Sequence, residues 1–277
     1  VGKRSLGHGL VRTGSYTTLI VGSACMLLPF IWMVSTSFKT FAEALAVPPI
    51  WIPQRLVWEN YPQAWAMAPF GRFFLNSVFI AAATAFGGVI TSALAAYAFA
   101  KMRFFGKNVV FALLLGTMMI PGTMLLVPNY LTMVRLGWID TYQALIVPWA
   151  ASVFVIFMLR QFFMTVPDEL WDSAQMDGCT RFRFLWQVVV PLSKPALFTG
   201  FLLRFMGSWN AFLWVLLMTN REEMRTVPVG LALFAQEAGT DYQWMMAMAT
   251  LAIIPIIVLF LMTQRYFIQA WVRSGIK

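Results

Sequence analysis

The sequence predicts an all-α, polytopic membrane protein of about six transmembrane helices, with a helix–Gly–helix elbow on the cytoplasmic side between the fourth and the fifth. Three observations carry that expectation. Of the 277 residues, 60% are apolar and only 11% charged, with a mean hydropathy of +0.73, whereas soluble domains carry about 25% charged residues. Residues 13–38, 73–100, 108–134, 141–159 and 242–264 hold no Asp, Glu, Lys or Arg, and 195–220 is interrupted only by Arg204. Finally, the polar stretch 165–195 is punctuated like two short helices, not like a linker.

The uncharged runs define the spans. Each is near or above the roughly 20 residues that a helix needs to cross about 30 Å of hydrocarbon, and lipid leaves no water to satisfy an open backbone. The expected spans are about 14–38, 73–100, 108–130, 143–163, 196–218 and 243–268, in one membrane domain covering 1–277. The first run has a basic head but is long and lacks a small-x-small cleavage site, so it is read as an uncleaved span. Residues 39–72, rich in Pro (48, 49, 53, 62, 69) and Trp (51, 58, 65), read as an irregular outer loop at the interface. With the N-terminus inside, Lys3, Arg4, Arg12, Lys101, Arg103, Lys107, Arg160, Arg181, Arg183, Lys194, Arg265, Arg273 and Lys277 fall inside. Only Lys39, Arg55, Arg72, Arg135, Arg221 and Arg225 fall outside, so the positive-inside bias places both termini in the cytoplasm.

The same pattern excludes several functions. The net charge of +9 punctuates apolar runs and forms no patch, which argues against nucleic acid. Cys25 and Cys179 lie in unlike surroundings, His8 is the single histidine, and no CxxC or HExxH occurs, so no metal site is expected. No catalytic constellation of His/Asp or paired carboxylates stands near a membrane face. Gly106-Lys107 lacks the rest of a phosphate-binding loop, so the chain is not expected to hydrolyse ATP or to bind a cofactor.

Within 165–195, Pro167 suits a first helical turn, and Asp168 and Glu169 suit the positive end of a helix dipole. Leu170, Trp171 and Ala174 give that helix an apolar edge, and Gly178 can end it in the left-handed conformation. Thr180 can cap a second helix whose Phe182, Leu185, Trp186 and Val189 form an apolar stripe, with Pro191 and Pro195 at its end. Such an elbow is suited to a groove in a partner protein; the other reading is a hairpin that lies on the bilayer and only packs.

The elbow resembles the EAA motif of binding-protein-dependent ABC importer permeases. Asp172-Ser173-Ala174, Asp177-Gly178, and Val188, Val190 and Pro191 fall at the matching spacing, with Asp172, Ser173 and Cys179 departing from the usual Glu, Ala and Ala. The run 157–170, Leu75-Asn76-Ser77, Gly207-Ser208-Trp209-Asn210 with Phe212-Leu213-Trp214, and the tail 271–277 are similar to the carbohydrate-uptake branch, including maltose-type and glycerol-3-phosphate-type permeases. The resemblance implies a permease subunit of the bacterial cytoplasmic membrane that works with a second homologous permease, two ATPase subunits holding ATP and Mg, and an external solute-binding protein. Asp172, Ser173, Ala174, Asp177, Gly178 and Pro191 would then couple to the ATPase. The solute would be a sugar or oligosaccharide, or alternatively glycerol 3-phosphate or another anionic sugar or polyol derivative.

Trp209, Asn210 and Trp214 are expected to line the solute path, since indole stacks on a sugar face and an amide bonds hydroxyls; their other reading is packing and helix contact. Asn76 is a further candidate. Arg204, about 13 Å into its span from Pro195 at 1.5 Å per residue, is costly in a membrane and faces a cavity, an anion or an acid of the partner, or snorkels inward. The segment 219–243, with Glu222, Glu223, Arg225, Glu237 and Asp241, is either a contact for the solute-binding protein or a solvated loop. The rival class is a self-sufficient secondary transporter without ATPase; it normally needs acids or histidines within the membrane, and all eleven acids here fall in predicted loops.

Overall fold

A computed structural model describes the backbone of residues 3–236 and 239–274, and the side chains of residues 12, 14–235 and 240–264. His8, Glu237 and the tail from Trp271 lie outside the described side chains. In chain order the helices are α1 (Lys3–Ser37), α2 (Phe41–Ala44), α3 (Asn60–Ala66), α4 (Phe70–Lys101), α5 (Lys107–Thr117), α6 (Leu126–Arg135), α7 (Tyr142–Ile146), α8 (Val153–Met164), α9 (Glu169–Met176), α10 (Arg181–Phe184), α11 (Val190–Leu192), α12 (Lys194–Trp209), α13 (Leu213–Met218), α14 (Val227–Leu231) and α15 (Tyr242–Ser274). A two-residue antiparallel pair sets β1 (Ala235–Gln236) against β2 (Gly239–Thr240). The architecture is all-α and polytopic, as the uncharged runs predict.

The chain divides into two compact units. The first holds Val1–Ala68 and Leu231–Ile253. Its α1 presents Leu19, Ile20 and Met26 outward, as a helix does when lipid or another protein covers it. At the end of α1, Lys39 turns into the interior: its Nζ donates to Thr36 Oγ1 at 3.0 Å and lies 3.6 Å from the Trp32 ring centroid. Burial pushes this ammonium down, opposed by the charge of Glu43. The Asn60 amide donates to the Ser37 and Lys39 carbonyls at 2.9 and 2.8 Å, which pins the chain reversal after α1.

The second unit holds Pro69–Gly230 and Ile254–Lys277 and is built around α4, which packs on α8 and α12. Between the large buried residues at its ends, α4 buries a row of small ones: Ser77, Ala81, Ala85, Gly88, Ser92 and Ala96 recur every three or four residues, letting neighbouring backbones approach closely, as helices do in lipid. Near the Lys101 end, Phe99, Leu159, Phe163, Phe184 and Val189 close an aromatic and aliphatic core.

Helices α1, α4 and α15 contain continuous stretches long and apolar enough to cross a membrane. The other three expected spans are interrupted. The 108–130 run ends as a helix at Thr117 and turns through 87° before Gly122, because Pro121 offers no amide N–H and disfavours helix in the residue before it. The 143–163 run bends by 41° between Trp149 and Val153. The 196–218 run stops at Trp209 and resumes at Leu213. Breaks of this kind are tolerated where side chains and neighbouring helices satisfy the freed backbone, and that condition shapes the site.

Candidate functional site

The stretch between α8 and α12 folds as a helix–Gly–helix elbow. Helix α9 ends with Gly178 at φ +73°; the Cys179 N–H donates to the Ala174 carbonyl at 2.9 Å and the Gly178 N–H to the Gln175 carbonyl at 3.0 Å. That pair of bonds is the Schellman closure. Thr180 then caps α10, its Oγ1 accepting from the Arg183 N–H at 3.3 Å. Trp171 meets Phe184 edge-on with centroids 5.2 Å apart, and the Arg181 guanidinium lies 4.4 Å from the Trp171 ring centroid. Asp172, Ser173, Asp177, Gly178 and Pro191 are exposed and Ala174 half-buried; all but Pro191 sit on α9 and its closing turn, and Pro191 lies at the far end of the second helix.

One correction concerns the apolar stripe. Leu185 and Val189 are buried as expected, but Phe182 is 66% exposed and Trp186 also faces out, while Phe184 takes the inner position. Phe184, Leu185, Val188 and Val189 make the inward face at i, i+1, i+4 and i+5, which leaves Phe182 and Trp186 to either side of it; Leu185–Val189 form a π turn.

Lys101, in the last turn of α4, fastens this elbow. Its Nζ donates to the Val166 carbonyl at 2.5 Å and pairs with Asp168 Oδ1 at 2.6 Å, and Arg181 donates back to the Lys101 carbonyl at 3.3 Å. The hydrogen bond and charge of Lys101 hold the Asp168 carboxyl below the usual carboxylate range.

Towards the other end of α4 lies a cavity of about 390 Å³, whose lining includes Ile80, Thr84, Trp149, Arg204, Ser208 and Trp214. It exists because of the helix breaks. The interruption after Trp149 frees carbonyls that side chains of α4 and α12 take up: Arg204 Nη2 donates to Trp149 and Thr91 Oγ1 to Ala150. Ser152 caps α8, accepting from the Val155 N–H at 3.4 Å. Across the cavity Trp214 Nε1 donates to the Ala144 carbonyl at 3.0 Å, and its ring stands edge-on to Trp149 at 5.7 Å.

The expected path residues divide. Arg204 and Trp214 line this cavity. Asn210 is exposed at the end of α12. Trp209 is only 3% exposed, stacks on Phe205 at 5.8 Å in the core formed with Ala81 and Ala85, and is not among the residues that line the cavity. Asn76 is 2% exposed, and its amide is spent on the fold. Its Nδ2 donates to the Glu223 and Arg225 carbonyls at 2.7 and 2.9 Å, and its Oδ1 accepts from Tyr142 at 2.8 Å. Asn76 therefore braces the 222–225 turn, whose approach is also held by Asp140 Oδ1 accepting from the Asn220 and Arg221 N–H groups. Sequence reasoning missed Thr84 and Trp149. Their signals were present, a polar residue near the glycine pair 87–88 and a Pro-Trp pair within an apolar run, but neither says what it meets.

Comparison with known proteins gives the family and the fold. Residues 88–273 match the family described as binding-protein-dependent transport system inner membrane component. The sn-glycerol-3-phosphate transport system permease protein UgpE of Yersinia enterocolitica is 34% identical over 94% of this chain and 95% of its own length. The arabinooligosaccharides transport system permease protein AraQ of Halalkalibacterium halodurans is 32% identical over 91% of each. Among solved structures, a chain of a bacterial ABC transporter involved in the import of the acidic polysaccharide alginate superposes with a TM-score of 0.82 at 24% identity, covering 93% of this chain and 96% of that one. At that identity the likeness speaks for the fold. The chain belongs to the inner-membrane component family of binding-protein-dependent ABC transport systems.

Proposed function

We propose that this permease subunit passes a sugar-type solute, handed over by an external solute-binding protein, through a pore shared with a second homologous permease. Two ATPase subunits on the cytoplasmic side bind ATP and Mg, and this chain is non-catalytic. The six spans form one permease domain with both termini in the cytoplasm. Two relatives are named for carriage of a phosphorylated polyol and of an oligosaccharide, which supports the carbohydrate class.

The observation that carries the reading is the continuity of α4. Thr84 and Lys101 lie on the same helix, 17 positions and thus about 25 Å apart at 1.5 Å per residue. A displacement of the elbow pulls Lys101, and a stiff helix delivers it to the cavity wall. Work is transmitted only if the elbow binds the two states of the ATPase pair unequally. Asp172, Ser173, Ala174, Asp177, Gly178 and Pro191 form the docking surface, with exposed Met176 and Phe182 supplying apolar contact. Asn210, Trp214 and Arg204 belong to the solute path.

Purification from the native membrane should bring ATPase subunits with the chain. In a variant lacking Cys25 and Cys179, Ser173→Cys should cross-link to an ATPase subunit. A cysteine there that reacts only with bilayer-embedded probes defeats the proposal.

A further inference from the structure

Arg204 is only half used by the fold. Its Nη2 donates to the Trp149 carbonyl, while its Nε is buried without a hydrogen-bond partner. Thr84 Oγ1 is likewise buried and unpartnered on a residue only 1% exposed, and both residues line the same cavity. Gly88 leaves the guanidinium its room: a Cβ there would stand 3.1 Å from Arg204 Nε. The lining contains no Asp or Glu. Buried polar atoms are almost always paired, and an uncompensated cation between membrane helices is costly. A ligand entering the cavity supplies such a partner if it accepts from a guanidinium N–H and a hydroxyl while bringing negative charge. An oxyanion meets both demands, and guanidinium geometry favours carboxylate and phosphate.

We infer that this cavity is an anion subsite, in which Arg204 and Thr84 hold one carboxylate or phosphoryl group of an acidic sugar or polyol. The edge-on Trp149–Trp214 pair forms an apolar wall beside it. This rests on the cavity being part of the solute path, and it narrows the solute from carbohydrates in general to anionic ones.

The test uses the whole complex in uncharged nanodiscs without the solute-binding protein. Thermal protection and tryptophan fluorescence are titrated with digalacturonate, glycerol 3-phosphate and maltose. At least one anion should bind where maltose does not, and which one identifies the group as carboxylate or phosphoryl. Arg204→Lys and Thr84→Val should each weaken that binding by about tenfold or more, the scale of one lost hydrogen bond to a charged group. Thr84→Val leaves the Arg204–Trp149 bond in place, so it reports even if the arginine variant unfolds. Equal responses to maltose and the anions, no response to any of the three, or variants that bind as the unaltered complex does, overturn the inference. ATP-driven uptake with the binding protein present is the separate readout of the permease reading. A complex that carries a neutral sugar and ignores both anions keeps that reading and loses this one. A chain that neither assembles with ATPase subunits nor transports loses the permease reading itself.

Discussion

Substituting Gly178 isolates the conformation of the elbow from its contacts. The residue sits at φ +73°, and a Cβ added there would meet nothing within 4 Å, so Gly178→Ala introduces no clash and its cost is the backbone's alone. For an L-residue with a Cβ that cost is about 1–2 kcal/mol, which lowers the population of the observed turn by a factor of about 5–30. Gly178→Asn should cost less, because Asn visits the left-handed region readily. Gly178→Pro is of another order. It removes the N–H that donates to Gln175 at 3.0 Å and fixes φ near −65°, a swing of about 140°, at about 3 kcal/mol or more. The assay is substrate-stimulated ATP hydrolysis and uptake by the reconstituted complex, with subunit stoichiometry measured alongside. Coupling should decline in the order Gly, Asn, Ala, Pro, with the thermal stability of the chain falling by no more than these backbone costs. Normal uptake by Gly178→Pro, or equal losses for all three variants, refutes the reasoning.

Other outcomes follow from the same geometry. Lys101→Ala should impair coupling more than Asp168→Ala, because Lys101 also holds the Val166 carbonyl, whereas Asp168 is 82% exposed and an ion pair so screened contributes only about 0–1 kcal/mol; comparison of stimulated ATPase rates checks this. Since Lys101 depresses the Asp168 carboxyl, the pair's contribution is full above the ordinary carboxylate value and fades only as pH falls through the lowered one, so coupling should not vary with this pair between about pH 5 and 8. Asn76→Ala, losing three hydrogen bonds, should lower thermal stability by about 2–4 kcal/mol without altering which solute stimulates hydrolysis. A changed solute preference would return Asn76 to the path. Gly230→Ala places a Cβ 2.5 Å from Phe73 Cδ2, an overpacking expected to cost about 1–3 kcal/mol, read as a lower unfolding temperature in detergent.

What the sequence determines by itself is whatever rests on local chemistry. Uncharged runs long enough for a bilayer mark the membrane segments. The elbow was legible residue by residue: Gly178 for the left-handed position, Thr180 for the cap, and acids near the start of α9, each a preference set within four or five neighbours. The tertiary structure decided everything that depends on which face meets which neighbour. A tryptophan reads alike whether it lines a cavity, as Trp214 does, or fills a core, as Trp209 does. Asn76 reads as a solute contact until the 222–225 turn supplies its partners from some 150 positions away. Phe182 reads as part of an apolar stripe until Phe184 takes the inward place. The break near 150 became tolerable only because side chains of α4 and α12 took up the freed carbonyls. Composition cannot encode such choices, because in an apolar solvent the pull of burial is weak and the pairing of polar groups, scattered along the chain, decides the arrangement.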